Sequence, residues 1–291
     1  MAGWRHSVLT IASVTAALCS PLVAQAPDVS TRAIVARAAA YVREYQQQLT
    51  SVLADEIYTQ DVVEQIPRDQ KASRTRTLRS EVFFMFAPAR RVWMAIRDVI
   101  AIDDKAVENR RDIVDALRTL PPHEVAAVFK QYNSRFNIGR IFRNFNEPTL
   151  SLLVLDDEHR KRFSFDRKQI SKTEPLLVTI EFKERDTPTL IFDLRRGGRV
   201  FSKGELVVEA ETGRIRRAVL TANVNEWRVQ LTTTYRPDER LGMWVPAEFE
   251  EHYAFGVSNS RSLDSSVEYE EIRCQAKYSN YRRFQTTVRI K

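Results

Sequence analysis

Cysteine is nearly absent from this sequence of 291 residues, which contains only Cys19 and Cys274. Cleavage of an N-terminal export signal over residues 1–26 would remove Cys19 and leave Cys274 alone. Because one thiol cannot form an internal disulfide, we expect the domain to be held together by its apolar core. Export without disulfides is typical of bacterial envelope proteins rather than of eukaryotic secreted modules.

Long apolar runs are missing as well. The most apolar segment, residues 7–23, is short and rich in small residues, follows the basic Arg5 and precedes the cleavage signal Ala24-Gln25-Ala26. This pattern predicts a signal peptide over 1–26, a single domain over 27–291 and an exported protein, periplasmic or extracellular. Cleavage after Ala24 fits the pattern equally, and an uncleaved anchor is the alternative.

Glycine is scarce, with eight residues, so each one suggests a backbone position with a positive φ. The stretch 204–220, GELVVEAETGRIRRAVL, alternates on both sides of a Thr-Gly turn. Alternation predicts that Leu206 and Val208 share one face of the first arm, that Ile215 and Val219 share one face of the second, and that Gly213 supplies the turn. Apolar residues fall on both faces of the arms, so we expect cover on both.

Catalytic signatures are also missing, since the sequence contains no HExxH, GxSxG, P-loop or dinucleotide-binding motif. It therefore predicts no catalytic residue and no cofactor. The net charge of +7 is spread along the chain, and removal of Arg5 lowers it by one. An exported protein rarely meets nucleic acid, so we expect no such partner. Solubility explains the mildly basic surface, and anionic lipid headgroups or acidic polymers are alternative explanations.

The hydrophobic periodicity divides the chain into three parts. Three- and four-residue steps predict a long amphipathic helix over 29–54. Alternating segments then predict strands, with a polar hairpin connection over 67–77 and a helical insertion over about 108–156. From residue 162 onward, strands at ten- to twelve-residue spacing predict an antiparallel meander.

A set of short stretches carries a resemblance to a known family: 78–80 with Trp93, 97–99, 137–139, 188–191, 212–214, 241–246 and 278–284. Together they resemble a group of exported bacterial envelope proteins within the periplasmic lipoprotein-carrier (LolA/LolB-like) superfamily. The resemblance implies an α+β fold: a curved antiparallel sheet forming an open half-barrel, with the N-terminal helix and the insertion packed on its concave side. It also implies binding of acyl chains or another apolar ligand, and no catalytic residues.

The candidate site residues are aromatic and basic side chains that could line such a cavity or its rim. Arginines around Gly139 are candidates for a headgroup phosphate or carboxylate, with helix-surface charge as the alternative. The aromatic and basic residues near the C-terminus suggest a pocket rim, with core packing as the alternative. The candidate ligand-binding residues are Tyr41, Tyr45, Trp93, Arg140, Arg143, Trp244, Tyr278, Tyr281 and Arg282.

One constellation could hold a metal. Glu248, Glu250 and His252 alternate along a predicted strand, so their side chains share one face. The same alternation is expected of an ordinary solvated face opposite Phe249 and Tyr253, and this interpretation is favoured.

The leading functional hypothesis is a non-enzymatic envelope protein that holds a lipid or acyl chain between the curved sheet and the N-terminal helix. One alternative is a protein-interaction or sensor module whose concave side is filled, with another envelope protein as its partner. The other is a metal-dependent hydrolase. In each case the protein would be at most peripheral to the membrane.

Overall fold

The computed structural model describes residues 28–66, 70–110, 112–141, 143, 146–173, 175–193, 197–256 and 269–284. The predicted signal peptide lies outside these ranges. Within them, no helix combines the length and the apolar character that crossing a membrane requires.

An antiparallel sheet of eleven strands forms most of the part that the structure describes. Its strands are β1 (Val52–Ile66), β2 (Gln70–Ala87), β3 (Val92–Ile102), β4 (Lys105–Ala106), β5 (Phe163–Ile170), β6 (Leu177–Glu184), β9 (Ser202–Glu209), β10 (Ile215–Val224), β11 (Trp227–Asp238), β12 (Met243–Gly256) and β13 (Tyr269–Arg283); β7 (Ile191–Asp193) and β8 (Gly198–Val200) form a separate hairpin. The order is β4-β3-β2-β1-β13-β12-β11-β10-β9-β6-β5. Because β4 and β5 end the sheet without pairing to each other, it is open, and the predicted α+β fold class is confirmed.

Helix α1 (Thr31–Gln48) begins at an N-cap, where Ser30 Oγ accepts a hydrogen bond from Ala33 N. Its inward residues, among them Ile34 and Val42, are fully buried in the main core together with inward residues of the sheet. The helix is shorter than the predicted span 29–54. Ser51, with a φ of 63°, breaks the chain direction. Residues 52–54 pair with β2, and Val52 and Leu53 also pair with β13. Strand pairing therefore overrides the helical spacing there.

The predicted polar connection over 67–77 is also too long. Strand β2 begins at Gln70, and residues 70–77 pair with β1 down to Thr59. Charged and hydroxyl side chains stabilise this solvated part of the pair, because Thr75 Oγ1 donates to Asp61 Oδ1 at 2.6 Å and Arg74 bonds Glu64 at 2.6 Å.

The turn between β9 and β10 contacts α1. Gly213 has a φ of 74°, and a Cβ at this position would lie 2.4 Å from the backbone carbonyl of Arg37. The predicted turn is therefore present, and its end packs on the helix backbone. A register shift between Ile215 and Arg217 turns the following residues over. As a result Leu220 is on the same buried face as Ile215. Val219, which was predicted to share that face, lies on the opposite one.

The insertion divides between the two faces of the sheet. Helices α2 (Ile113–Thr119) and α3 (Pro122–Asn133) pack in a second core cluster with Leu53, Phe83 and Ile96, whose strand neighbours face the main core. Short 3-10 segments at Ser134–Phe136 and Leu150–Leu155 lie in the main core on the side of α1. The predicted helical insertion thus reaches the concave side through its second half and covers the opposite face with its first half.

Candidate ligand-binding cleft

A cleft of about 460 Å³ lies along β3, near the β4 end of the sheet. Strand β4 pairs only with Ala101 and Ile102 of β3. The edge of β3 from Val92 to Arg97 is therefore not covered by β4, and these residues line the cleft. One wall comes from α3 and the other from the 146–153 region and the β7 strand. Its volume is in the range of small-molecule sites in proteins.

The cleft has an apolar wall. Trp93, Leu150, Leu153, Ile191 and Phe192 all line it. The Trp93 ring lies 5.2 Å from that of Phe86 and 6.0 Å from that of Tyr45, so this wall continues into the core. Trp93 Nε1 is buried and finds no hydrogen-bond acceptor among the described residues. A bound polar atom could satisfy that donor.

Cations dominate the charged residues of the lining. These are Arg90, Arg97, Lys130 and Arg143, against the carboxylate of Glu147. Burial raises the pKa of Glu147, whereas the nearby Lys130 and a hydrogen bond from the Ala95 backbone act to lower it. In that hydrogen bond, Ala95 N donates to Glu147 Oε2 at 2.6 Å. The two histidines that line the cleft are His123 and His159, and burial lowers the pKa of His159. Because Arg97 is paired with the buried Glu56, the balance is between Arg90, Lys130 and Arg143 on one side and Glu147 on the other, and it still favours an anionic ligand.

Arg143 is fixed in the inner part of the cleft by neutral partners. Its Nη1 donates to Tyr58 Oη at 3.0 Å and contacts Cys274 Sγ at 2.9 Å, and its Nη2 donates to Gln60 Oε1 at 2.6 Å and to the Ile138 carbonyl at 2.7 Å. Tyr58 in turn donates to Glu251 Oε1 at 2.8 Å. The Glu251 carboxylate is therefore connected to the Arg143 guanidinium only through the Tyr58 hydroxyl. Arg143 Nε has no hydrogen-bond partner within the described part of the chain.

Six of the nine predicted site residues lie in the cleft or in the core. Trp93 and Arg143 line the cleft. Tyr45 joins Trp93 within the core and lies 5.6 Å from Tyr41, ring to ring. Tyr278 and Tyr281 are buried at 4% and 1% exposure and pack on Phe84, so they belong to the core rather than to a rim.

The remaining three candidates contact other partners. Arg140 Nε donates to the buried Glu270 at 2.6 Å. Trp244 is half-buried, and the Arg216 guanidinium lies 3.9 Å from its ring centroid. Arg282 binds Asp55 at 2.8 Å and also pairs with Glu81. None of these three contributes to the lining of the cleft.

The space between α1 and the sheet, where the ligand was predicted to lie, is filled by side chains. Ile34 and Val42 are 0% exposed and Tyr45 is 1% exposed. Sequence reasoning missed Glu147, Lys130 and the Leu150–Leu155 segment as parts of a site. The available signal was the dense apolar run LSLLVL, which begins two residues after Pro148 and falls within the predicted helical insertion.

The metal candidates lie on the outer face of the sheet. Glu248, Glu250 and His252 alternate with buried residues of β12, as predicted. His252 Nε2 lies 2.7 Å from Glu271 Oε1 on β13. The partner of His252 is therefore on the neighbouring strand and is neither Glu248 nor Glu250. In the described ranges, no cluster of three or more His, Cys, Asp or Glu side chains could hold a metal ion.

Comparison with known proteins gives similarity at the level of structure. No protein-family model and no curated protein matches the sequence. The chain is similar to an outer-membrane lipoprotein-sorting protein domain from Vibrio parahaemolyticus, with 10% identity over 88% of this chain and 95% of that one and a TM-score of 0.32. It is also similar to a LolA superfamily protein from Nitrosomonas europaea, with 12% identity over 90% and 97% and a TM-score of 0.28.

A third similar structure is lipovitellin, described for its lipid–protein interactions, with 6% identity and a TM-score of 0.30. The match covers 82% of this chain but spans only 26% of the lipovitellin chain.

Proposed function

We propose that this protein binds an anionic amphipathic molecule, such as one with an acyl chain, in the cleft beside β3, and that it acts as an exported carrier rather than as an enzyme. The observation that carries the proposal is the combination of an apolar wall around Trp93 with a lining in which Arg90, Lys130 and Arg143 outnumber the carboxylate of Glu147, while Arg97 is paired with the buried Glu56. The envelope location rests on the signal-peptide pattern of residues 1–26.

The two properties of the cleft act on different parts of such a ligand. Each methylene group removed from water contributes about 0.8 kcal/mol, so a chain lying on Trp93 and Leu153 gains affinity with length. The guanidinium and ammonium groups favour a negatively charged head. Exposed Arg90 and Lys130 mark the solvent side of the cleft, whereas Arg143 is 4% exposed and marks its inner part.

Titration with decanesulfonate, a permanently anionic amphiphile used below its micelle concentration, tests the proposal. Binding is followed by calorimetry and by native mass spectrometry, and decanol serves as the uncharged comparison. We expect saturable binding of decanesulfonate that is weaker in high salt, because the charge contribution is screened.

Two neighbouring substitutions on α3 locate the site. Ala127 is exposed and lines the cleft, so Ala127→Trp should fill its mouth and weaken binding about tenfold or more. Val128 is 40% exposed and lies outside the lining, so Val128→Trp should bind as the unmodified protein does. A protein that binds neither amphiphile would favour the interaction-module alternative, and equal binding by both variants would place the ligand elsewhere.

A further inference from the structure

The β7–β8 hairpin presents a fixed outer face next to the cleft. Its inward residues Ile191 and Val200 are 3% and 6% exposed and belong to the main core. Asn225 Nδ2 donates to Asp193 Oδ2 at 2.9 Å, which ties the hairpin to the end of β10. Side chains on its other face are therefore held in place by the core beneath them.

Two phenylalanines occupy that outer face. Phe192 is 49% exposed and Phe201 is 50% exposed, and they are the exposed large aromatic side chains of the described residues. Phe192 pairs across the hairpin with Arg199, and Phe201 follows Arg199 by two residues, so all three alternate away from the buried Ile191 and Val200. Two exposed rings, one on an anchored hairpin and one directly after its second strand, mark an interaction surface rather than scattered surface residues.

This face adjoins the mouth of the cleft. Phe192 lines the cleft, as does Val92, which is itself 36% exposed. Arg199 is exposed opposite Phe192 on the hairpin, and Arg90 is exposed at the cleft. Among the described residues of the two hairpin strands, the acidic residue is Asp193, which is bonded to Asn225. The apolar rings are thus accompanied by arginines on both the hairpin and the cleft wall.

We propose that the outer face of the β7–β8 hairpin, formed by Phe192, Arg199 and Phe201, docks on an anionic lipid surface. Aromatic rings enter the boundary between headgroups and acyl chains, and arginines bind the phosphates above it. Docking in this way brings the mouth of the cleft to the headgroup layer. The route of an amphiphile between the surface and the cleft rests on the proposed function, whereas the docking itself does not.

Sedimentation with vesicles of phosphatidylcholine, with and without phosphatidylglycerol, tests the docking in the full-length protein. Phe201→Ser removes one ring without touching the cleft, because Phe201 is not part of its lining. Ile57→Ser is the matched control, since Ile57 is 54% exposed but lies on β1, outside both the separate β7–β8 hairpin and the lining of the cleft. Decanesulfonate titration of the same samples shows whether the cleft is intact.

We expect the unmodified protein to sediment with phosphatidylglycerol vesicles and less with phosphatidylcholine alone. Phe201→Ser should lower the vesicle partition coefficient about tenfold, and Arg199→Glu should remove the preference for phosphatidylglycerol. Decanesulfonate affinity should stay unchanged in both variants. Absence of vesicle binding, or equal loss in Phe201→Ser and Ile57→Ser, overturns the docking surface. Vesicle binding without any decanesulfonate binding supports the docking surface and overturns the proposed function instead.

Discussion

Arg97 on β3 and Glu56 on β1 form a two-pronged ion pair across the intervening strand β2. Arg97 Nη2 lies 2.7 Å from Glu56 Oε1, and Arg97 Nε donates to the other carboxylate oxygen. The Glu56 side chain is fully buried and that of Arg97 is 12% exposed. The guanidinium also lies 4.7 Å from the centroid of the Tyr58 ring. This pair ties the strand that carries the cleft to the centre of the sheet.

Removing the cation from this pair should be strongly destabilising. Arg97→Met leaves the buried Glu56 without its charge partner, and we expect the free energy of unfolding to fall by about 3–5 kcal/mol. The double variant Glu56→Gln with Arg97→Met should recover most of that loss, because no unpaired charge remains. Urea unfolding of both single variants and the double variant measures the coupling. A double variant as unstable as Arg97→Met would contradict this explanation.

The turn at Gly213 should be sensitive to a single methyl group. Gly213→Ala combines a left-handed φ of 74° with a Cβ that would lie 2.4 Å from the Arg37 backbone. Gly242→Ala is the matched control, because Gly242 has a φ of 63° and no atom within 4 Å of its added Cβ. We expect the control to lose about 1 kcal/mol of stability and Gly213→Ala to lose at least ~2 kcal/mol more. Equal losses in thermal unfolding would show that the contact with α1 is unimportant.

Local pattern alone predicted much of the sheet, and the errors have physical causes. The turn at Gly213 and the alternation of Glu248, Glu250 and His252 followed from two-residue periodicity, which depends on neighbours in the chain. The side of Val219 did not, because the bulge at Ile215 is set by pairing with β9. Val52 also fits a helical stripe, and only its pairing with Phe84 and Arg283 makes it a strand residue.

The cleft was less predictable than the sheet. Trp93 and Arg143 were candidates because of their chemistry, but Glu147 enters the cleft only because the insertion crosses from one face of the sheet to the other. Tyr278 and Tyr281 are of a residue type that is equally common at a pocket rim and in a core. Only their packing against Phe84 shows that they belong to the core. Such long-range placements depend on contacts between residues far apart in the chain.

Acid should weaken the fold through Asp156. Burial alone would raise the pKa of Asp156, but hydrogen bonds from Arg91, the Glu158 backbone and Gln46 outweigh it and hold the pKa at about 2. Arg91 donates from Nε at 2.7 Å and from Nη2 at 2.6 Å. Because the folded-state pKa lies below the ordinary value, the stabilisation is complete above about pH 4 and is lost as the pH falls toward 2.

Arg91→Met tests this contribution. We expect it to lower the free energy of unfolding at neutral pH by about 1 kcal/mol, because Arg91 is 37% exposed and Gln46 and the Glu158 backbone still bond Asp156, and to flatten the loss of stability between about pH 4 and pH 2. Arg118→Met is the control, because the Arg118–Asp115 pair is exposed at 61% and 74% and should contribute less than about 1 kcal/mol. An unchanged acid profile in Arg91→Met, measured by urea unfolding at each pH, would contradict the assignment.

Cys274 should be chemically silent in the folded protein. Its thiol is 4% exposed, and burial raises its pKa to about 12. In a Cys19→Ser background, we expect an aromatic disulfide reagent at about pH 8 to label Cys274 only after unfolding in urea. Ile57→Cys in the same background supplies an exposed thiol that should react at once. Rapid, complete labelling of Cys274 without denaturant would show that the interior around Arg143 opens readily.

Glu147 should lower the affinity of the cleft for anionic ligands. Its carboxylate is the acidic group in a lining that contains Lys130, Arg97 and Arg143. Glu147→Gln keeps an oxygen that can accept the hydrogen bond from Ala95 N and removes only the charge. We expect decanesulfonate affinity at neutral pH to rise about fivefold, equivalent to ~1 kcal/mol. Glu158→Gln, at an exposed carboxylate paired with Lys161, should leave the affinity unchanged.

The pH dependence of binding gives a second test of Glu147. Its pKa is raised, so protonation as the pH falls from neutral removes the same negative charge from the cleft of the unmodified protein. Affinity for decanesulfonate should therefore increase in acid, and this increase should be smaller in Glu147→Gln, which lacks that carboxyl group. The difference between the two pH profiles isolates Glu147, because the sulfonate stays ionised throughout. Parallel profiles would show that the carboxylate does not face the bound head group, and the ligand would then lie nearer to Arg90 at the mouth of the cleft.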